Sequence, residues 1–272
     1  DVGKGNDATV IDATRAALTN RPRFKNNATD NINFNPTVFF NNNPAVSGLS
    51  DYTGLTNQAE LNGTGGFFTH EQYLVLVNDV PSTYSAATPS TDIYCSQNVN
   101  PYDNDGTGFG YGQYTIRMDN EIVSYCIGSS PSPNPADVNL RGYGIAHTST
   151  SDSYSNAISI LNARNNPAIN GMQLFHNANR IDNTEVGVPQ FANISNRRYW
   201  LGRSQVRNGS FGGRIAEVIS FSSRKNDVSE RRRIETYLAL KYGITLGVNG
   251  TSMNYEDSNG NVVWNSTTNA GY

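Results

Sequence analysis

Short runs of apolar residues, separated by turn-forming residues, predict a chain built mainly of β-strands. The clearest run is Glu71–Asn78, which is nearly continuous and rich in β-branched residues, as is typical of a central sandwich strand. Arg214–Phe221 alternates instead, and it carries Glu217 as an inward-pointing charge that needs an explanation. Further strands are predicted at Thr37–Phe40, Tyr111–Met118, Ile122–Ile127, Tyr143–His147, Ile158–Leu161 and Met172–His176.

Two hairpins follow from the turn residues between such segments. Asp119-Asn120 separates Tyr111–Met118 from Ile122–Ile127, and these residue types favour the positive φ of a tight turn. Asp257–Asn261 lies between Tyr255 and a short apolar run that ends at Trp264, which predicts a second hairpin.

The hydrophobic period changes to that of a helix only at residues 227–242. Asp227 and Glu230 have the spacing of a capping box, in which the Asp caps the first free N–H groups and the Glu reaches back to them. Gly243 follows Tyr242 as a helix-ending glycine.

The predicted helix has one apolar face, formed by Ile234, Tyr237 and Leu238. The arginines at 231–233 and the neighbouring Glu235 are expected mostly on the outer face. Such residues usually form a solvated, ion-paired surface, so no partner is assigned to them.

Composition narrows the possible functions. Charged residues make up 16% of the 272 residues and the net charge is −3, so the chain lacks the basic field that nucleic-acid binding needs. No apolar run approaches the ~18 residues of a membrane-spanning helix. The 11 Phe, 15 Tyr and 2 Trp supply enough apolar area for a core, which argues against disorder.

The chain has two cysteines, Cys95 and Cys126. In an oxidising compartment they would close a loop of about 30 residues, with a stabilisation of about 3–4 kcal/mol. The alternative is two buried free thiols.

Several motifs together resemble one family. Gly213–Leu246 (GRIAEVISFSSRKNDVSERRRIETYLALKYGITL) resembles the closing strand and helix of laminin-G-like jelly rolls in the concanavalin A-like lectin superfamily. The variant in question occurs in secreted, adhesin-type surface proteins of Bacteroidota. Gly5–Thr9 (GNDAT), Arg21–Phe24 (RPRF) and Asn35–Phe40 (NPTVFF) resemble earlier landmarks of the same family.

The resemblance implies an all-β, two-sheet antiparallel jelly-roll sandwich with one C-terminal α-helix. It implies a domain at 1–246 that includes helix 227–242, with 247–272 as the start of a following module or a linker. The chain begins inside the loop that resembles GNDAT, so we expect it to be a fragment of a larger modular protein. An extracellular or bacterial cell-surface location follows from the same resemblance.

Calcium is the one cofactor that the sequence suggests. Asp103, Asp105 and Thr107 concentrate hard oxygen ligands in a D-x-D-G-T turn, and Ca²⁺ takes six to eight such oxygens. The alternative is a polar turn without an ion, because Asp, Asn and Gly are ordinary turn residues.

The candidate ligand-binding residues are aromatic. Tyr102, Phe109, Tyr111 and Tyr114 lie among glycines and acids, in a stretch that could form a loop on which sugar rings stack. The alternative is that these rings pack over the edge of the sandwich.

Catalytic patterns are weak. The glucanase arrangement of alternating carboxylates is approached only at Asp119 and Glu121, which fall at a predicted turn, while Glu217 is alone on its strand. The three histidines, His70, His147 and His176, lie in no catalytic or zinc-binding motif and are expected to make ordinary hydrogen bonds.

The sequence therefore favours a non-catalytic cell-surface module for adhesion or carbohydrate contact. Its expected partners are surface glycans or polysaccharide and the neighbouring modules of the same polypeptide. Two alternatives stay open: a structural spacer domain with no ligand, and a glucanase-type glycoside hydrolase.

Overall fold

The structure is a computed structural model that describes residues 22–40, 61–65, 71–78, 91–97, 106–111, 122–127, 143–147, 158–166, 171–181, 184–186, 197–202, 211–221, 223–225, 228–247 and 253–269. These residues form sixteen strands and one helix, α1 (Val228–Tyr242). The strands are β1 (Arg23–Lys25), β2 (Thr37–Phe40), β3 (Leu61–Gly65), β4 (Glu71–Asn78), β5 (Thr91–Gln97), β6 (Gly106–Tyr111), β7 (Ile122–Ile127), β8 (Tyr143–His147), β9 (Ser159–Asn166), β10 (Gly171–His176), β11 (Asn179–Arg180), β12 (Thr184–Val186), β13 (Arg197–Leu201), β14 (Gly213–Phe221), β15 (Tyr255–Glu256) and β16 (Val262–Trp264).

Fourteen of the strands form two seven-stranded sheets in which every described pairing is antiparallel. The first sheet has the order β1-β2-β14-β4-β9-β10-β11, and the second has the order β12-β8-β7-β6-β5-β13-β3. Strand β10 of the first sheet lies against β7, β8 and β12 of the second. The predicted all-β, two-sheet antiparallel jelly-roll sandwich with one C-terminal helix is confirmed.

Strand β4 is the centre of the first sheet, and all eight of its residues are buried. Its odd-numbered residues Tyr73, Val75 and Val77 join one core cluster with helix residues such as Leu238 and Tyr242. Its even-numbered residues lie on the opposite face, because side chains alternate along a strand. A strand that is covered on both faces reads as a continuous apolar run, which is why the sequence predicted its bounds correctly.

Helix α1 packs across the outer face of the first sheet and ends in a Schellman motif. Gly243 has a positive φ of 66°, and the N–H of Ile244 donates to the carbonyl of Ala239 at 2.9 Å. The side chains of Asn33 and Asn35 donate to the Lys241 carbonyl at 3.0 and 2.9 Å. The Lys241 carbonyl of the last turn is therefore satisfied from a distant turn of the chain. The predicted capping residue Asp227 lies outside the described residues.

The second predicted hairpin is confirmed as β15–β16, and it packs on the side of the helix. The N–H of Glu256 donates to the Thr236 hydroxyl at 2.9 Å, and the N–H of Leu246 donates to the Tyr255 hydroxyl at 3.1 Å. Tyr255 and Trp264 pack edge to face with ring centroids 5.4 Å apart. Part of the segment 247–272, which was expected to begin a following module or linker, thus contacts the helix directly.

The second strand of the first predicted hairpin, β7, has the predicted bounds Ile122–Ile127. It pairs with β6, which covers Gly106–Tyr111, so Tyr111 is the one described residue of the predicted first strand Tyr111–Met118. Residues 112–121, which include the predicted turn, lie outside the described residues. The glycines of β6 were interpreted as a loop because they lack apolar side chains, but their backbone is held between two neighbouring strands.

Truncating the helix at its buried leucine tests whether α1 is part of the sandwich core. Leu238 is fully buried, so Leu238→Ala should lower the free energy of unfolding by about 2–5 kcal/mol. Leu240→Ala is the matched control, because Leu240 is 65% exposed on the same helix and its truncation should cost at most about 0.5 kcal/mol. Urea unfolding followed by tryptophan fluorescence and circular dichroism measures both, and equal small losses would contradict the docking of α1.

Candidate functional site

A buried polar network lies where the N-terminal half of α1 covers the first sheet. Glu71 is fully buried, and its Oε1 accepts hydrogen bonds from the Tyr73 hydroxyl at 2.6 Å and from Asn162 Nδ2 at 3.4 Å. Its Oε2 accepts the backbone N–H of Lys225 at 2.7 Å. Both carboxylate oxygens are satisfied by protein donors, which marks a structural carboxylate and not a group available to a ligand.

The helix contributes two charges to this network, which corrects the expectation that Arg231 and Glu235 lie on the outer face. Arg231 is 7% exposed and Glu235 is fully buried. The guanidinium of Arg231 lies over the Phe175 ring at 4.2 Å, and its Nε is 3.4 Å from Glu235 Oε1. These positions share a helix face with Leu238, and the sheet beneath them carries Glu71 and Arg164, whose charges act on Glu235.

Burial shifts the ionisation of this network. It raises the pKa of Glu235 to about 7, although the guanidinium groups of Arg231 and Arg232 act in the opposite direction. It also lowers the pKa of Arg164 to about 10. Neither oxygen of Glu235 accepts a hydrogen bond of good geometry from a described residue, and the guanidinium nitrogens lie at 3.4 and 3.6 Å. The ionised carboxylate is thus incompletely compensated for the loss of water.

A second charged cluster explains the lone acid on β14. Glu217 Oε2 accepts from Lys241 Nζ at 2.9 Å and from the Tyr242 hydroxyl at 2.8 Å, and its Oε1 accepts from the Tyr237 hydroxyl at 3.2 Å. The hydrogen bond to Tyr237 and the contact with Glu217 raise the pKa of Lys241. Three donors on the helix therefore hold this carboxylate, and its role in the described structure is to anchor the C-terminal half of α1.

His176 makes a hydrogen bond of the ordinary kind that was expected for the histidines. Its Nε2 is 2.8 Å from the Ser159 hydroxyl, and both residues are buried. Burial lowers the pKa of His176 to about 4, so the ring is neutral at neutral pH. His147 lies on β8, and His70 lies outside the described residues.

Two of the four predicted ligand-binding aromatics, Phe109 and Tyr111, lie on β6, which has β5 and β7 as its neighbours in the second sheet. Tyr102 and Tyr114 lie outside the described residues. The expected loop is therefore a strand over residues 106–111, and the two aromatics are two residues apart, which places them on the same face of the sheet.

The strand register extends this face to neighbouring strands. Phe109 is directly opposite Tyr94 on β5 and Ser124 on β7. Ser96 on β5 is opposite Tyr199 on β13. Directly opposed residues of antiparallel strands share a face. We call this side the aromatic face, and its members on β5, β6, β7 and β13 include Tyr94, Ser96, Thr107, Phe109, Tyr111, Ile122, Ser124, Cys126, Tyr199 and Leu201.

The opposite side of the second sheet has a different composition. Gly106, Gly108 and Gly110 alternate with the aromatic-face residues of β6. Around them, the register groups large apolar residues of the neighbouring strands, and we call this side the apolar face. Its apolar members include Cys95, Val123, Tyr125, Ile127, Ile145, Val186 and Trp200, and the same register also places the polar or charged residues Asn62, Gln97, His147 and Arg198 on this side.

Sequence reasoning missed Tyr94 and Tyr199 as companions of Phe109. They lie 15 and 90 positions away in the chain, and only the strand order brings their backbones together. A usable signal was present in Tyr94 and Ser96, which alternate with Cys95, but their partner strands could not be read from the sequence.

The strand order argues against the predicted disulfide. Cys95 on β5 and Cys126 on β7 are separated by β6, so their Cα atoms are about 10 Å apart, beyond the ~7 Å limit for a disulfide. Cys95 is opposite Gly108 whereas Cys126 is opposite Thr107, so the two cysteines also belong to different faces.

The predicted calcium ligands are mostly outside the described part of the chain. Asp103 and Asp105 are not described, and Thr107 lies on β6 as a member of the aromatic face. Among the described residues, no group of three or more His, Cys, Asp or Glu side chains is arranged to hold a metal ion.

An open groove of about 570 Å³ lies beside the outer surface of α1. Tyr237 and Leu240 line it and are 48% and 65% exposed. Two of its five charged lining residues, Arg233 and Glu256, are engaged by the Ser258 carbonyl and the Ser229 hydroxyl. The groove therefore has both apolar and charged lining residues. It lies beside the helix on the first sheet, whereas the aromatic face belongs to the second sheet.

Glu235 gives the helix–sheet interface a pH dependence. A buried carboxyl whose pKa rises from its usual value of 4.5 to about 7 favours the folded state most below pH 4.5, and this contribution is lost as the pH rises to 7. The free energy of unfolding of Glu235→Gln relative to that of the wild type should therefore increase by about 3 kcal/mol as the pH rises from 4.5 to 7. Chemical unfolding across this pH range measures the difference.

The difference between the two proteins isolates Glu235, because His176 is common to both. The lowered pKa of His176 acts in the opposite direction, since its stabilisation is lost as the pH falls from 6.5 towards 4. A difference that stays constant from pH 4.5 to 7 would contradict the raised pKa of Glu235.

The chain is similar to one protein family over part of its length. A family described as a domain of unknown function (DUF8202) matches residues 230–272, which comprise most of α1 and the hairpin that packs on it. No curated protein matches the chain. No helix among the described residues is long and apolar enough to cross a membrane.

Several solved structures are similar to this chain. Domain 4 of AbnA, a GH43 extracellular arabinanase from Geobacillus stearothermophilus, in complex with arabinotriose, shares 11% identity over 72% of this chain and 73% of that chain, with a TM-score of 0.39. The binding domain of Paraclostridial Mosquitocidal Protein 1 shares 13% identity over 91% of this chain and about half (52%) of that chain, with a TM-score of 0.48. The VIP36 exoplasmic/lumenal domain in its Ca²⁺/Man3GlcNAc-bound form shares 10% identity over 63% of this chain and 77% of that chain, with a TM-score of 0.37.

Proposed function

We propose that this chain is a non-catalytic carbohydrate-contacting module of a larger secreted protein at the cell surface. The observation that carries the proposal is the register of β5, β6 and β13, which groups Tyr94, Phe109, Tyr111 and Tyr199 on one face. Aromatic rings stack on the apolar faces of sugars, and nearby hydroxyl groups supply the directional hydrogen bonds. Ser96, Thr107 and Ser124 on the same face provide that chemistry.

The first sheet leaves little room for a ligand on its outer face, which supports a binding site on the second sheet. Its outer face is covered by α1, and the carboxylates there are engaged by Tyr73, Lys225 and Lys241. The second sheet has no described helix on either of its faces. A ligand that binds to a sheet of this sandwich is therefore expected on the second sheet.

The distribution of acids supports binding over hydrolysis. Glycoside hydrolysis needs two carboxylates that face one glycosidic bond. Among the described strands, the register places one acidic residue on the aromatic face, Glu185 of β12 opposite Ala146. Glu217, the lone strand acid of the glucanase alternative, is held by the helix on the first sheet.

The first test of this function is binding to a panel of polysaccharides. We expect retention on at least one polysaccharide in affinity electrophoresis, and Phe109→Ala with Tyr111→Ala should remove it, because the rings supply the stacking surface. Tyr237→Ala is the matched control, since it removes an exposed ring from the helix. No retention on any polysaccharide would favour a spacer, and release of reducing sugar by the wild type would favour a hydrolase.

We also propose a calcium ion at Asp103, Asp105 and Thr107. The supporting chemistry is the set of carboxylate and hydroxyl oxygens that this segment brings together just before and within the start of β6. An ion there would fix the chain where it enters the aromatic face. This proposal is independent of the sugar-binding proposal.

Calcium binding would be visible as a rise in melting temperature. With calcium at 100 times its dissociation constant, the folded state gains about 2.7 kcal/mol, which corresponds to several degrees for a domain of this size. Asp105→Ala should abolish the rise, whereas Asp257→Ala, in the β15–β16 turn, should leave it intact. A melting temperature that calcium does not change in the wild type would refute the site.

A further inference from the structure

We infer that a cluster of arginines at one end of the first sheet binds a tetrahedral oxyanion, that is, a sulfate or phosphate group. We call it the arginine cluster, and it consists of Arg164 on β9, Arg231 on α1 and Arg224 just before the helix, grouped around Gln173 and Phe175 on β10. The cluster is separate from the aromatic face of the second sheet, so this inference is independent of the proposed carbohydrate contact.

The register of the first sheet places the strand members of the cluster on one face. Arg164 is directly opposite Gln173, and Phe175 lies two residues further along β10 on the same face. On the other side of β10, the edge strand β11 places the exposed Arg180 directly opposite Phe175. This end of the sheet therefore carries an arginine on each neighbour of β10.

Side-chain contacts bring the guanidinium groups together around uncharged partners. Gln173 Oε1 accepts from Arg164 Nε at 2.9 Å and from Arg224 Nη2 at 3.4 Å, so two cations share one amide oxygen. The guanidinium carbons of Arg164 and Arg231 lie 4.9 and 4.2 Å from the centroid of the Phe175 ring. Neither the amide nor the ring carries a negative charge.

The buried carboxylates beside the cluster compensate the arginines only in part. Glu71 accepts hydrogen bonds from uncharged donors at both oxygens, and Glu235 Oε1 lies 3.4 Å from Arg231 Nε. Among the described residues, no carboxylate forms an ion pair with Arg164. Burial and the positive charges of Arg231 and Arg224 lower the pKa of Arg164 to about 10, and the charge of Glu71 offsets only part of this effect. Positive charge therefore exceeds negative charge around Arg164.

The cluster also contains donor atoms without acceptors. Gln173 is 7% exposed, and its Nε2 donates to no described residue, although its Oε1 is used twice. Arg231 is also 7% exposed and donates no hydrogen bond to a described residue. Arg164 donates through Nε and Nη1, which leaves Nη2. Buried donors without acceptors are costly, and one oxyanion supplies several strong acceptor oxygens to guanidinium groups.

The arginine cluster lies at the margin of the contact between α1 and the sheet. Arg164 and Arg224 are half-buried, so part of each side chain is open to solvent. An oxyanion needs a few converging donors and no broad surface. The covering of this sheet by the helix is therefore compatible with an ion at its margin.

The first experiment is calorimetric titration of the whole chain with sodium phosphate and with sodium sulfate. We expect saturable binding of one ion per chain, and raising NaCl tenfold should weaken it, because the attraction is between charges. Methyl phosphate and methyl sulfate distinguish the source of the group. Tighter binding of the esters would indicate a group carried on a larger molecule, and tighter binding of the inorganic ions would indicate the free ion. Absence of saturable binding for all four anions overturns the inference.

A built-in carboxylate tests the location of the site. Gln173→Glu places a negative charge between Arg164 and Arg224, so phosphate affinity should fall at least tenfold. Arg164→Gln should also weaken binding about tenfold, because it removes one cation. Arg23→Gln is the matched control, since Arg23 is an exposed arginine on β1 at the opposite edge of the same sheet. Phosphate binding that persists unchanged in both Gln173→Glu and Arg164→Gln overturns the inference.

Thermal unfolding supplies a second readout. Phosphate at ten times its dissociation constant should raise the melting temperature of the wild type by a few degrees. Exclusion of phosphate from the protein surface gives a rise of its own, which Arg23→Gln and Gln173→Glu share, so the difference between these two variants isolates the site. Without phosphate, Gln173→Glu should melt no lower than the wild type, because the arginines compensate the new charge. A fall of many degrees would show an uncompensated buried carboxylate and would overturn the cluster.

Discussion

The docking of α1 on the first sheet is the interaction on which the rest of this structure depends. Its C-terminal half uses apolar burial, in which Leu238, Ala239 and Tyr242 pack on Tyr73 and Val75. Such contacts supply most of the stability of a helix in a folded protein. The C-terminal hairpin packs in turn on the helix, so the order of residues 253–269 depends on the same docking.

The N-terminal half of the helix docks in another way, through buried charges. Glu71 is fully satisfied by hydrogen bonds, whereas Glu235 and Arg231 form a pair whose distances are long for charge-assisted hydrogen bonds. A buried pair of this kind contributes little net stability, although the loss of one partner is costly.

This arrangement makes the two sheets unequal. The outer face of the first sheet is closed by a helix, and its polar residues serve the helix–sheet contact. Strand β6 of the second sheet has glycine at every other position, so one of its faces carries Thr107, Phe109 and Tyr111 while the other carries only Cα atoms. Glycine in a strand often marks a place where another part of the backbone approaches closely.

The sequence by itself determined those strands and the helix whose burial is reflected in their own pattern of apolar and polar residues. The bounds of β2, β4 and β8 were predicted correctly, and those of α1 and β14 to within one residue, since continuous burial, alternation and helix-ending glycine each leave a local signature. It also identified Phe109 and Tyr111 as candidate contacts. Their companions Tyr94 and Tyr199, the separation of the two cysteines by β6, and the burial of Arg231 and Glu235 were decided by the tertiary structure. Each of these depends on which distant strand lies alongside or beneath a residue, and sheet pairing over tens of residues leaves no trace in the local hydrophobic period.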